Sequence, residues 1–218
     1  MSRKRTFEHE FIEFEKLERV TTEDSRYYVL PDGSRAWSVT QIIGQSMDKT
    51  PLMEWRARVG EAEAQKISTQ AARRGTAFHS ICESYLMNEE SYPSNSMPVN
   101  IESFKKVRPI LNEHLGKIYG IESMLYSTTL KAAGTTDCIA EWDGVTSIID
   151  FKTSRRAKRE DWIESYFLQA TTYALMMEER TGIRVPQRVI LVSVDDDEPQ
   201  LFIRDKEQYI KRVEEIFK

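Results

Sequence analysis

The chain has 218 residues, 40% hydrophobic, 30% charged and 10% aromatic, with a formal net charge of −4; this composition fits a single globular domain and excludes a disordered chain. No window approaches the roughly 18 consecutive apolar residues of a membrane span, and the start, MSRKRTFEHEFIEFEK, lacks the apolar stretch of a signal peptide, so no membrane partner and a cytoplasmic location are expected. Cys82 and Cys138 are the two cysteines; distant in sequence and outside any CxxC pair, they read as buried free thiols, not as a disulfide framework or a zinc or iron–sulfur site.

Residues 1–26 read as an N-terminal extension to one domain at 27–218. The stretch RYYVLPDGSRAWSVTQII predicts two short strands about a Pro-Asp-Gly turn at 31–33, the second leading into a helix near Thr40. From Pro51 to about Glu90 the pattern is helical. SYPSNSMPVN reads as a loop, and a further helix is expected from about Ile101 to Tyr119, bent or interrupted at Pro109, which removes a hydrogen bond and crowds the preceding turn. IESMLYSTTL, GTTDCIAEW and VTSIIDFKT then alternate in strand fashion. A helix follows over about Glu160 to Arg180, then strands at RVILVSV and QLFIRD and a closing amphipathic helix, KEQYIKRVEEIF. The fold class is therefore α+β, a central mixed β-sheet flanked by helices: a helical front at about 51–119 and a catalytic sheet core at about 120–205.

Asp143-Gly144 is a strong signal for a two-residue hairpin turn. If it forms the loop, Trp142 faces Val145 and Asp137 falls opposite Asp150, although a slip of one or two residues is compatible with the pattern. Alternation puts Asp150 and Lys152 on one face while Ile149 and Phe151 point into the core. Two opposed carboxylates repel, and a divalent cation would neutralise them. Such a cation polarises a phosphate and lowers the pKa of water, with a nearby lysine to orient it or stabilise negative charge. The alternative is a polar face on an edge hairpin.

Thr76, His79 and Glu83 share one helix face, just downstream of Arg73 and Arg74, which suits a metal ligand with phosphate contacts nearby. Gln169 and Tyr173 lie one turn apart on a face that continues through Trp162, Tyr166 and Met177. Tyr166 and Met177 on that face read as core, and the Gln169 amide within it needs partners. Arg155, Arg156, Lys158 and Arg159 form a basic run that reads as a phosphate contact or as a solvated face.

The ordered motifs GTxxH, GIESMLY, GTTD, IIDFKTS and QATTY resemble the PD-(D/E)xK nuclease superfamily in its RecB-type branch, and within it phage-encoded exonucleases related to the mitochondrial genome maintenance exonuclease. The resemblance covers roughly residues 27 to 205 and implies a restriction-endonuclease-like fold. It implies that Asp137 and Asp150 bind metal, that Lys152 is the catalytic lysine and that His79 completes the metal shell. Glu122 matches the acidic position before the first core strand; a surface glutamate is its other reading. Gln169 and Tyr173 match QxxxY, which helps hold the site and nucleic acid, and Arg74, Thr76, Glu83, Thr153, Ser154, Arg155 and Arg156 are expected to support the site or contact nucleic acid. Thr136 stands where the superfamily's name has proline, and Asp150 where it allows Glu. The expected cofactor is Mg²⁺ or Mn²⁺; the four cysteines of iron–sulfur members are absent, so no cluster is expected.

The implied activity is a metal-dependent exonuclease acting on DNA, single-stranded DNA by preference, in replication, repair or recombination, within the host cytoplasm if phage-encoded. Trp37, Trp55, Phe78 and Tyr85 are available to stack bases, with burial in the core as their other reading. The alternatives are a structure-specific or flap endonuclease of the same fold and a catalytically silent nucleic-acid-binding module.

Overall fold

The computed structural model describes residues 5–22, 25–90 and 96–218. The loop expected at SYPSNSMPVN falls partly at 91–95, outside the described residues. The chain opens with strand β1 (Glu18–Thr21), then β2 (Arg26–Val29) and β3 (Arg35–Ser38), followed by helices α1 (Val39–Ser46), α2 (Thr50–Val59), α3 (Glu61–Leu86) and α4 (Pro98–His114). Strands β4 (Leu115–Ser127), β5 (Ala132–Trp142) and β6 (Val145–Ser154) form the centre, and a short 3-10 turn at Glu160–Trp162 leads into α5 (Glu164–Thr181). Strands β7 (Gln187–Val194) and β8 (Gln200–Asp205) and helix α6 (Glu207–Ile216) complete the chain. The α+β reading holds: one mixed sheet with helices on its faces.

Helix α3 would extend about 39 Å at 1.5 Å per residue, and its C-terminal half is the buried part. Phe78, Ile81, Cys82, Tyr85 and Leu86 are buried at the i, i+3, i+4, i+7, i+8 spacing of one helix face. They meet Phe104, Val107 and Leu111 of α4 and Ile149 and Phe151 of β6 in one cluster. Helix α4 runs through Pro109 without interruption. Lys105, whose carbonyl the proline leaves unbonded, is exposed, as is Pro109, so water can satisfy it. The helix ends at His114, short of the expected Tyr119. From Leu115 the chain is captured by pairing with β5, as Leu115 faces Trp142 and Ile118 faces Ala140.

The sheet is covered on both sides, a departure from the expected division into a core face and a site face. Ile149 and Phe151 face the α3/α4 cluster, while Ile148 joins Ile190, Val192 and Phe167 of α5 in a second one. The crossover between the parallel strands β6 and β7, paired from Ser147↔Gln187 to Ser154↔Val194, lays α5 on one face, while α3 and α4 cover the other. Trp162, expected on the helix face of Gln169 and Tyr173, lies instead in the 3-10 turn before α5 begins and is 61% exposed.

Residues before β2 pack onto this frame. Phe7 is buried in the α3/α4 cluster, Glu10 N–H donates to the Ile118 carbonyl at 2.8 Å, and Leu17 packs with Tyr28, Leu30, Ala36, Tyr126 and Ala133. The β1–β2 hairpin is thus fastened beside β4 and β5.

Gly134 of β5 has no room for a side chain, since an added Cβ would lie 2.6 Å from the Tyr173 hydroxyl and 3.0 Å from its Cε1. Tyr173 is 2% exposed and has nowhere to retreat. Gly134→Ala should therefore lower stability by about 1–3 kcal/mol, read from denaturant midpoints, and adding Tyr173→Phe to the same chain should restore part of the loss. An unchanged midpoint for Gly134→Ala would mean that the glycine and the tyrosine do not pack as described.

Candidate metal centre at a fork in the sheet

The Asp143-Gly144 turn forms as the sequence predicts, with φ of 52° and 77° at its two residues, the left-handed conformation that a tight hairpin turn requires. Register then follows: Trp142 faces Val145 and Cys138 faces Ile149. One step further Asp137 and Asp150 would face each other, and there the ladder stops. β4 pairs along the whole of β5, from Ser127↔Ala132 to Leu115↔Trp142. The opposite edge of β5 is shared, with β3 taking Ala132 and Ala133 and β6 taking Cys138 to Trp142. Residues 134–137 sit in the fork between them. In place of a ladder bond, the Phe151 N–H donates to Asp137 Oδ2 at 2.7 Å.

Glu122 enters from the other side. Ile121 faces Cys138 and Ser123 faces Thr136, so Glu122 stands opposite Asp137 across β4. Its φ of 47° is left-handed, a conformation costly for a residue with a Cβ and typical of functional sites. Three carboxylates on three adjacent strands are thereby aligned: Glu122, Asp137 and Asp150. Helix α3 brings His79 over them, its Nδ1 3.4 Å from Asp137 Oδ1. One ligand atom each from His79, Glu122 and Asp137 lie within 4.8 Å of one another. Asp150 stands outside this trio, held by Lys152, whose Nζ is 2.7 Å from Oδ1 and 2.6 Å from Oδ2.

Electrostatics mark the site. Burial, aided by the Asp137 charge, pushes Asp150 up to about 6 against the pull of Lys152. Glu122, exposed as a residue but with a crowded carboxyl, is pushed up to about 7 by desolvation first and by Asp137 second. Asp137 is desolvated too, yet the hydrogen bond and charge of His79 hold it below the ordinary range. Burial opposes the charge of His79, but Asp137 outweighs it and raises the imidazole. Lys152 is likewise desolvated and raised, by Asp150 and Asp137, and its Nζ lies 5.2 Å from the centre of the Tyr166 ring.

The residues fit a hard divalent cation. They supply carboxylate oxygens and one imidazole nitrogen, and ligand atoms of His79, Glu122 and Asp137 already lie within 4.8 Å of one another. Excess negative charge among neighbouring carboxyls is what such an ion would relieve.

The other predicted residues divide. Thr76 and Glu83 line a cleft with His79 and Glu122. Thr153 is close to Gly75 of α3, whose added Cβ would be 3.9 Å from Thr153 Oγ1. Ser154 Oγ donates to the Arg156 carbonyl at 2.6 Å, and Arg155 reaches Gln70 at 3.2 Å; both arginines are exposed. Arg74 is tied instead to Asp195 in a partly buried ion pair. Gln169 donates to the Tyr173 hydroxyl at 3.5 Å, beneath the carboxylates that help raise that phenol, itself raised first by burial. Of the aromatic residues, Phe78 and Tyr85 are core, while Trp37 is 44% exposed. Tyr166 was legible only as part of a core stripe; its place against Lys152 depends on the approach of α5 to β6, which no local pattern reveals.

A stability prediction follows. Asp150 and Glu122 have folded pKa values above their unfolded ones, so these two carboxyls bind more protons in the folded protein than in the unfolded chain over about pH 4–7, and the stability they contribute falls as pH rises through that window. His79, also raised, adds to the loss above its ordinary value. A cation requires the deprotonated ligands. In chelator, the thermal midpoint should therefore drop between pH 5 and pH 7.5, and Mn²⁺ should raise it more at pH 7.5 than at pH 5. A metal effect larger at pH 5 would contradict the carboxylate assignment.

The family model described as the PD-(D/E)XK nuclease superfamily matches residues 56–217. The human protein named mitochondrial genome maintenance exonuclease 1 is 29% identical over 175 residues, covering 74% of this chain and 50% of that protein. The mouse protein of the same name is 27% identical over 172 residues, with 74% and 51% covered, and the Xenopus tropicalis one 25% over 174 residues, with 74% and 49% covered. The chain spans about half the length of these relatives. Superfamily match, mixed sheet and acidic site agree, and the chain belongs to the PD-(D/E)XK nuclease superfamily.

Proposed function

We propose that the chain is a divalent-metal-dependent exonuclease that hydrolyses phosphodiester bonds of single-stranded DNA, in replication, repair or recombination. The observation that carries this reading is the row Glu122–Asp137–Asp150 at the sheet fork, with His79 above it and Lys152 beside it, in a member of a nuclease superfamily whose similar relatives are named exonucleases. Mg²⁺ or Mn²⁺ is the proposed ion. Asp137, His79 and Glu122 would hold it, with Asp150 joining them, and when bound it would supply Lewis-acid polarisation of the phosphate and a water of lowered pKa.

The chain's own groups have separable roles. Asp137 is fixed as an acceptor by the Phe151 N–H and kept ionised by His79. Lys152 is held protonated by the aspartates, so its role is to place positive charge where a phosphorane gains negative charge, and not to act as a base. Gln169, Tyr173 and Gly134 support the floor of the site. Arg155 and Arg156, exposed directly after the catalytic strand, contact phosphates without reading bases.

Exonuclease action needs an element that admits a strand by its end. Helix α3 crosses above the carboxylates and, with the β1–β2 hairpin, borders the cleft. Linear single-stranded DNA should be degraded rapidly in Mg²⁺, whereas a closed circle of the same sequence should resist, and Asp150→Asn should abolish cleavage of the linear strand with little loss of binding. Rapid cutting of the circle would favour the endonuclease reading. Full turnover by Asp150→Asn would remove that carboxylate from the mechanism, and the absence of metal-dependent cleavage of any strand would leave a silent nucleic-acid-binding module.

A further inference from the structure

The cleft above the carboxylates has a cation that the reaction described so far does not use. It is lined on one side by Thr76, His79, Ser80 and Glu83 of α3, at its base by Glu122, and on the remaining side by Arg19 of β1. Arg19 is exposed, and no ion pair or hydrogen bond of its side chain is found among the described residues, although two carboxylates share the cleft with it. Its backbone is nevertheless well held. Arg19 pairs with Tyr28 across the hairpin, Leu17 two residues earlier is buried against Tyr126 and Ala133, and the Leu17 N–H lies 3.1 Å from Met124 Sδ. A guanidinium is thus carried on a fixed wall, facing the cleft that contains two of the three grouped ligand residues.

We infer that Arg19 is a positioning residue that binds a backbone phosphate of the substrate strand, so that the strand lies between the β1–β2 hairpin and α3 as it crosses the metal centre. The inference rests on the nuclease reading of the same site and adds a residue that none of the superfamily motifs contains. Its physical basis is charge balance. A strand entering through this cleft passes Glu83, whose charge repels phosphate, and Arg19 is the cleft-lining guanidinium able to offset it. Its planar fork matches two phosphate oxygens at once, which a lysine ammonium does not. Thr76 and Ser80, exposed across the cleft, add hydroxyl donors from the other wall.

The test uses 5′-labelled single strands, each carrying one neutral methylphosphonate linkage at a different position, with wild type, Arg19→Ala and Arg19→Lys. Wild type should lose roughly ten- to hundredfold in kcat/KM when one particular linkage is neutral, as expected for a charge-assisted contact. Arg19→Ala should show that loss on the unmodified strand and no further loss at that linkage, while effects at other linkages persist. Arg19→Lys should fall between, and the thermal midpoint should not move for either variant. Binding measured in Ca²⁺ reads the contact without turnover, and Arg19→Ala should weaken it and reduce the slope of log affinity against log salt by about one. Turnover of Arg19→Ala within twofold of wild type, or an unaltered linkage profile, would overturn the inference while leaving the nuclease reading intact. A wild type that binds through Arg19 but cuts nothing would sink the nuclease reading alone, and one that neither binds nor cuts would sink both.

Discussion

Like-charge repulsion at the fork of the sheet is the constraint on which the rest of the site depends. Glu122, Asp137 and Asp150 occupy register-matched positions on three neighbouring strands, where opposed carboxylates disfavour pairing. The chain accommodates them by ending the β5–β6 ladder at Cys138↔Ile149, by turning Glu122 through a left-handed residue, and by setting Lys152 against Asp150. Each device has a cost: a missing ladder bond, a strained backbone, a half-buried lysine. Such costs persist where surrounding packing over-determines them, and here both faces of the sheet are packed by helices.

That packing also gives the site its two walls. The α3/α4 cluster fixes Phe78, Ile81 and Cys82 around His79, so the imidazole is carried by a rigid helix to the carboxylates. On the opposite face, α5 brings Tyr166 to Lys152 and Tyr173 into the space left by Gly134. The amino-terminal segment closes the third side, with Phe7 and Leu17 buried in different clusters. Helix, sheet and hairpin thus converge on one cleft although they come from distant parts of the chain.

Much of this was legible from local chemistry. The Asp143-Gly144 turn set the register that places Asp137 toward Asp150, and the helical spacing of Thr76, His79 and Glu83 identified the face that meets them. What escaped depends on long-range capture. Leu115 to Gly120 left their helical expectation because β5 offered a partner strand, and the burial of Asp150 depended on β7 lying parallel to β6. Trp162 follows the periodicity of α5 but sits in a 3-10 turn before that helix. The pairing of Arg74 with Asp195, 121 residues away in the chain, leaves no local mark in the sequence. Glu122 was visible as an acid but not as a partner of Asp137, since no propensity marks a left-handed glutamate in a strand.

The central claim is that this fork is built around a divalent cation. Anomalous diffraction from crystals grown with Mn²⁺ tests it most directly. A strong peak is expected between His79, Asp137 and the carboxyls of Glu122 or Asp150, lost on Asp137→Ala. A well-ordered site without such a peak at saturating Mn²⁺, or a peak confined to the acidic turn at Asp195–Asp197, would contradict it.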